Sequence, residues 1–390
     1  MMPTQTWKLV DHDQDLYVDQ IALGPEQVGG AAEGYSVVKR TLRAGLSQGV
    51  DVIEVRHGDF RFVVVPTRGM GIWRACLGDL HLGWKSPVRG PVHPAYVRTG
   101  HPDGLGWLDG FDELLVRCGL ESNGAPEFHP DGRLRYGLHG KIANTPAHHV
   151  EVAIDGESGR IAIRGTVDET RLFGGKLRLE TSIETQAGRP GLVVRDTVTN
   201  LSAAASDFEL LYHINFGVPF LQAGAKVTLP VKKLAPRDRV AIADLATWNL
   251  YGPETSGSPE VCFFMEPAGD ADGNTQVLLH NSAATRGVGL KFNTRQLPCF
   301  SLWKNREAAC DGYVTGLEPA TNFPNVKSFE KQMGRVAELG PGQSRSMVVE
   351  LEPLAGTAGV QAAMAAVAKL QQGTPAEILA QPDPRWSPSN

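Results

Sequence analysis

The stretch RIAIRGTVDET, residues 160–170, puts Ile161, Ile163 and Val167 on one side and Arg160, Ala162, Arg164 and Asp168 on the other. A period of two is the mark of a half-buried β-strand. Six residues on, KLRLETSIETQ (176–186) repeats it, with Leu177, Leu179 and Ile183 set against Lys176, Arg178, Glu180 and Glu184. GLVVRDTVTN (191–200) and QSRSMVVELEPL (343–354) follow the same rule. Turn-forming clusters separate such segments: DGESGR (155–160), QAGRPG (186–191), ADGN (271–274) and LGPGQS (339–344). Strands at this spacing predict an antiparallel sandwich rather than alternating strands and helices.

Outside these segments, 44 glycines and 26 prolines leave little room for long helices. The exception is VQAAMAAVAKLQQ (360–372), alanine-rich and read as a terminal helix, followed by a Pro-rich tail expected to be irregular. No internal repeat and no linker divides the chain. The expected organisation is all-β: one large β-sandwich over residues 1–355, then a short helix and tail over 356–390.

Composition narrows the function. A net charge of −5 without long runs of either sign argues against a nucleic-acid partner. No apolar run reaches membrane-spanning length, and the N-terminus shows no signal-peptide pattern, which predicts a cytoplasmic protein. The five scattered cysteines form no CxxC pair and read as reduced thiols. Neither a GxGxxG unit nor a P-loop is present, so no cofactor is expected, and there is no GxSxG elbow. His93, His101, His139 and His213 could in principle surround a metal, but they lack HExxH-type spacing, and no metal is expected.

Three segments carry candidate chemistry. In RYGLHGKIANTP (135–146), His139 is flanked by glycines that let a ligand or another backbone approach, although an isolated histidine also serves as a hydrogen-bonded structural residue. In ELLYHINFGVPF (209–220), His213 sits in an apolar run, as either a satisfied core residue or a working acid in a cleft. In DGYVTGLEPATNFPN (311–325), Glu318 shares a strand face with Val314 and Gly316, small residues that leave an open surface. Pro319 is expected to end that strand and place Glu318 at a sheet rim, where an ordinary exposed glutamate is the simpler reading. Asp112, Glu113, Glu121 and Glu127 read equally well as loop carboxylates. Arg68, Trp84, Trp107, Trp303 and Lys304 supply the flat apolar faces and hydrogen-bond donors that sugars require.

Taken in order, these pieces resemble a known family. GLHGKIANTP resembles the LHGG-type segment of aldose 1-epimerases (galactose mutarotases), YHINFG their NHSYFNL-type segment, and GLEPATNFPN their ETQ-x-FPD-type segment. TRGMGIW, LGWKSPVRGPVHPAY and GWLDGFDELLVRCGLESNGAPE are similar to a DUF4432-type branch of that superfamily, over roughly residues 30–355. The resemblance implies a galactose-mutarotase-like β-supersandwich with Glu318 as base, His213 as acid and His139 assisting at the ring oxygen. It also implies a substrate site drawn from Arg68, Lys141, Asn144, Trp303, Lys304 and Asn322. Lys141 stands where a glycine is usual, Tyr212 where an asparagine is usual, and EPATN where ETQ would be. Arg68, Arg89, Lys141 and Lys304 would suit an anionic sugar. The expected activity is interconversion of the anomers of a free or modified sugar. A non-catalytic carbohydrate-binding protein and a different sugar isomerase or lyase are the alternatives. The expected partner is a small carbohydrate, with a possible homodimer and no membrane.

Overall fold

The computed structural model describes residues 4–32, 34–373 and 375–388. The alternating segments form the ladders that their patterns predict. Arg160–Thr170 and Lys176–Gln186 pair antiparallel from Arg160 opposite Gln186 to Thr170 opposite Lys176, and Ile161, Ile163, Val167, Leu177, Leu179 and Ile183 are buried. Arg189–Asn200 and Ser344–Ala355 extend this into a ten-stranded sheet. A second sheet of fourteen strands faces it across one apolar core that takes Ile163 and Val194 from the first sheet and Phe62, Tyr212 and Leu302 from the second. The fold is the expected all-β supersandwich.

A buried ionic cluster ties the two layers. Arg117 of the large sheet donates from Nε and Nη2 to the Asp196 carboxylate of the other, at 2.5 and 2.9 Å. Its Nη2 also reaches Thr181 Oγ1 at 2.7 Å, and the Tyr212 hydroxyl donates to Asp196 at 2.9 Å. Every polar group in this apolar setting is therefore hydrogen-bonded, as burial requires.

The terminal helix spans Thr357–Gln371 and packs Val360, Ala363 and Val367 against Leu278 and Leu354. The segment beyond it is anchored to the body of the fold. Glu377–Ile378 pair in parallel with Lys233 and Leu234, Asp383 binds Lys233 at 2.6 Å, and Trp386 packs on Phe323 at 5.0 Å. Pro-rich composition could not foretell these long-range anchors. No helix among the described residues is long and apolar enough to cross a membrane.

Side-chain parity positions the site. In the Ser206–Phe216 strand, Leu210, Tyr212 and Ile214 enter the main core, so Leu211, His213 and Asn215 project from the opposite face of the large sheet. There they meet loops and short 3-10 turns of residues 84–147.

Candidate active site

Four neighbouring strands of the large sheet supply the floor: Val261–Pro267, Cys299–Asn305, Val314–Ala320 and Ser206–Phe216. Ser301 lies opposite Glu318. The register that pairs Leu211 with Ala320 and Ile214 with Leu317 sets His213 opposite Glu318 on the other side. Ser301, Glu318 and His213 thus form one row across three strands, and side chains directly opposite share a face. Glu318 is not at a rim, as expected from Pro319, but buried in mid-sheet. Pro319 lies opposite Phe300, and the ladder to Ser206–Phe216 is interrupted between Leu317 and Ala320, around the residue that has no N–H to give.

Glu318 Oε1 stands 3.2 Å from His213 Nε2 and has no hydrogen-bond partner. Gly316 makes room for it. A Cβ on Gly316 would lie 2.2 Å from Glu318 Oε1 and 3.0 Å from His213 Cε1. The small-residue reading of this strand face therefore holds at Gly316.

Asn215, two residues along the same face, orients His213. Its Nδ2 donates to the carbonyls of Glu113 and His213, leaving Oδ1 to accept from His213 Nδ1 at 2.7 Å. Nε2 of the neutral ring is then an acceptor aimed at Glu318. His139 comes from a tight loop in which it adopts φ 57°. A Cβ at the neighbouring Gly140 would lie 2.3 Å from the Ser122 carbonyl, so only glycine allows this approach. His139 Nδ1 donates to the Asn123 carbonyl at 2.8 Å, which leaves its Nε2 as a second neutral acceptor.

Aromatic rings enclose these groups. Trp107 packs 4.7 Å from His139, Phe111 5.0 Å from His213, and Trp303 5.4 Å from His213. Burial, reinforced by the adjacent His139, pushes His213 down to about 3, against the Asn215 bond. Burial pushes His139 down to about 4. Burial raises the Glu318 carboxyl well above the ordinary carboxylate range, helped by the negative charge of Glu260 and opposed by Arg237. Burial thus favours the uncharged form of each group, a protonated Glu318 carboxyl beside a neutral His213 ring.

Of the residues expected at the substrate, Trp303 lies in this cleft, and its Nε1 donates to Glu260 at 2.7 Å. The others are placed elsewhere. Lys304 follows Trp303 on a strand, so it projects to the opposite face, where its ammonium donates to the carbonyls of Trp248 and Leu250 at 2.7 and 2.8 Å. Arg68 and Asn144 bind each other at 2.7 Å, and Arg68 also holds Glu113, Val92 and Gly110, bracing the turn between Trp107 and Phe111. Lys141 pairs with Glu121 and opens on a separate recess of about 480 Å³. Arg89 lies on another recess beside Trp73 and Arg74. Asn322 is buried, its amide engaged with Asn123, Glu209 and Phe323.

Sequence reasoning missed Phe111, Asn215 and Glu260. Asn215 was accessible from parity with His213. Glu260 sits in a loop without a pattern, fixed by Trp303 and by Arg237 at 2.8 Å. Among the described residues no group of three or more His, Cys, Asp or Glu side chains is arranged to hold a metal ion.

The fold has relatives. A crystal structure from Klebsiella pneumoniae, of a protein provisionally named an aldose 1-epimerase, is 32% identical, with a TM-score of 0.94 over 97% of this chain and 99% of that one. A galactose mutarotase-like protein of Clostridium acetobutylicum is 16% identical, with a TM-score of 0.55 over 80% of this chain and 97% of that one. Galactose 1-epimerase of Lactobacillus acidophilus is 13% identical, with a TM-score of 0.52 over 83% of this chain and 99% of that one. At such identity the last two show the shared fold alone. No curated protein matches the sequence. The family described as a domain of unknown function, DUF4432, matches residues 47–352, and the chain belongs to that family, on a galactose-mutarotase-like fold.

Proposed function

We propose that the protein is an aldose 1-epimerase that interconverts the anomers of an uncharged sugar, with Glu318 and His213 as its proton-exchanging pair. The observation that carries this reading is the unbonded Glu318 Oε1 set 3.2 Å from His213 Nε2 in a buried, aromatic-walled cleft. The reaction requires the Glu318 proton to pass to His213, which makes Glu318 a carboxylate and His213 an imidazolium. Glu318 takes the proton of the anomeric hydroxyl while His213 gives one to the ring oxygen. The C1–O5 bond breaks as the C1 carbonyl forms. Rotation about C1–C2 and the reverse steps give the other anomer, and the pair ends with the proton count it began with.

His139, neutral and with Nδ1–H committed to Asn123, offers Nε2 as acceptor for a sugar hydroxyl. The faces of Trp303 and Phe111 suit sugar C–H surfaces. Arg68, Lys141 and Lys304 all point elsewhere, and beside the cleft Glu260 is already paired with Arg237. An uncharged aldose therefore fits better than the anionic sugar expected from the sequence. Magnetisation-transfer NMR across matched neutral aldoses and their 6-phosphates tests this. Anomeric exchange above the solvent rate for neutral sugars and weaker for phosphates is expected. Equal or stronger exchange with the phosphates would remove the uncharged-substrate reading, and no enhancement with any sugar would remove the activity.

A further inference from the structure

Glu209 is a fully buried carboxylic acid that the reaction above does not use. It lies on the Ser206–Phe216 strand, four residues before His213 and on the same face of the sheet. Its two oxygens are both occupied. Oε2 accepts the backbone N–H of Asn123 at 3.1 Å, and Oε1 accepts Asn322 Nδ2 at 2.9 Å. Asn322 and Asn123 in turn exchange amide bonds, Asn123 Nδ2 to Asn322 Oδ1 at 3.1 Å and Asn322 Nδ2 to Asn123 Oδ1 at 3.3 Å. Thr321 Oγ1 donates to Asn322 Oδ1 at 2.8 Å, so neither amide can flip without losing a bond. The residue held by this clamp, Asn123, is the one whose carbonyl fixes His139 Nδ1.

We propose that Glu209 is the positioning residue of the cleft: through Asn123 it fixes the place and tautomer of His139, so that one strand sets both imidazoles, His213 directly and His139 through the clamp. Physical chemistry favours this use of a buried acid. Two donors converge on it from separate segments, residues 123 and 322, and removing this buried acceptor leaves the Asn123 N–H unsatisfied and takes one of its acceptors from Asn322 Nδ2. Burial raises Glu209 to about 7, with Lys327 and the two donors acting to lower it. Asn322, within the segment similar to the epimerase motif, thereby serves the clamp rather than the sugar.

The test is ¹⁵N NMR of the histidine rings in the wild type and in Glu209→Gln, whose amide presents a donor where an acceptor is needed. The expected result is a shift of the His139 ring signals away from the pure Nδ1–H tautomer, with the His213 signals in place and the melting transition still cooperative. Unchanged His139 signals in the folded variant would overturn the proposal. Should Glu209→Gln fail to fold, Asn322→Ser removes one arm of the clamp, with the same two outcomes. The kinetic part rests on the epimerase reading: kcat should fall about 10- to 100-fold with KM within about twofold. The ring signals do not depend on that reading, so failure of the activity and failure of the clamp are separately visible.

Discussion

The imidazoles of His139 and His213 lie 5.5 Å apart, edge to face at 78°, although one comes from a glycine-flanked loop and the other from a central strand. Each is locked as the Nδ1–H tautomer by a different acceptor, the Asn123 carbonyl and the Asn215 amide oxygen. Two neutral acceptors thus stand side by side, with His213 Nε2 3.2 Å from the buried Glu318 carboxyl.

This arrangement sets a pH dependence of stability. Burial holds His139 at about 4 and His213 at about 3, below the value of about 6.5 of an unperturbed histidine. Between those values the unfolded chain binds protons that the folded protein does not. The stability tied to each ring is therefore complete above about pH 6.5 and is lost as pH falls, at up to about 1.4 kcal/mol per unit. Urea unfolding at pH 7 and pH 5 should show the wild type losing about 1–2 kcal/mol more than His139→Gln. Equal losses would contradict a neutral His139.

Gly316→Ala separates the site from the fold. The new Cβ would lie 2.2 Å from Glu318 Oε1, the far end of a side chain that can swing aside. The melting temperature should move by no more than a few degrees, while anomerisation falls at least ~10-fold as the carboxyl is displaced from His213. A variant with full activity would show that the observed Glu318 position is not needed.

Asp196→Asn addresses the tie between the layers. It leaves the Arg117 guanidinium buried without its counter-charge, a change that costs about 3–5 kcal/mol. Denaturant unfolding should register a loss of that size, and Tyr212→Phe, which removes one hydrogen bond to Asp196, only about 1 kcal/mol. A loss below about 1 kcal/mol for Asp196→Asn would mean that the pair does not join the sheets energetically.

The legible and illegible parts of the sequence divide along physical lines. Alternation in 160–170 and 176–186 shows which side chains are buried, because a strand has only two faces. It also contained an unused correction: Trp303 and Lys304 are consecutive on a strand and cannot both face one cleft. What a face packs against depends on strand order. Pro319 therefore misled, since a strand with Pro is read as an edge while the sheet places it between two neighbours. Cations were the least legible. Arg68 and Lys141 look available in sequence because their partners, Glu113 and Glu121, lie 45 and 20 residues away. His139, His213 and Glu318 carry sequence motifs and lie close together, whereas Asn123 and Glu209 emerge only from the contact between loop and strand.

The most direct measurement is magnetisation transfer between the anomeric signals of a neutral aldose with equal concentrations of wild type and Glu318→Gln. The account predicts enhanced exchange with the wild type and exchange at the solvent rate with the variant, both proteins giving the same circular dichroism spectrum. Enhanced exchange that survives in Glu318→Gln would contradict the central claim that the Glu318–His213 pair carries the reaction.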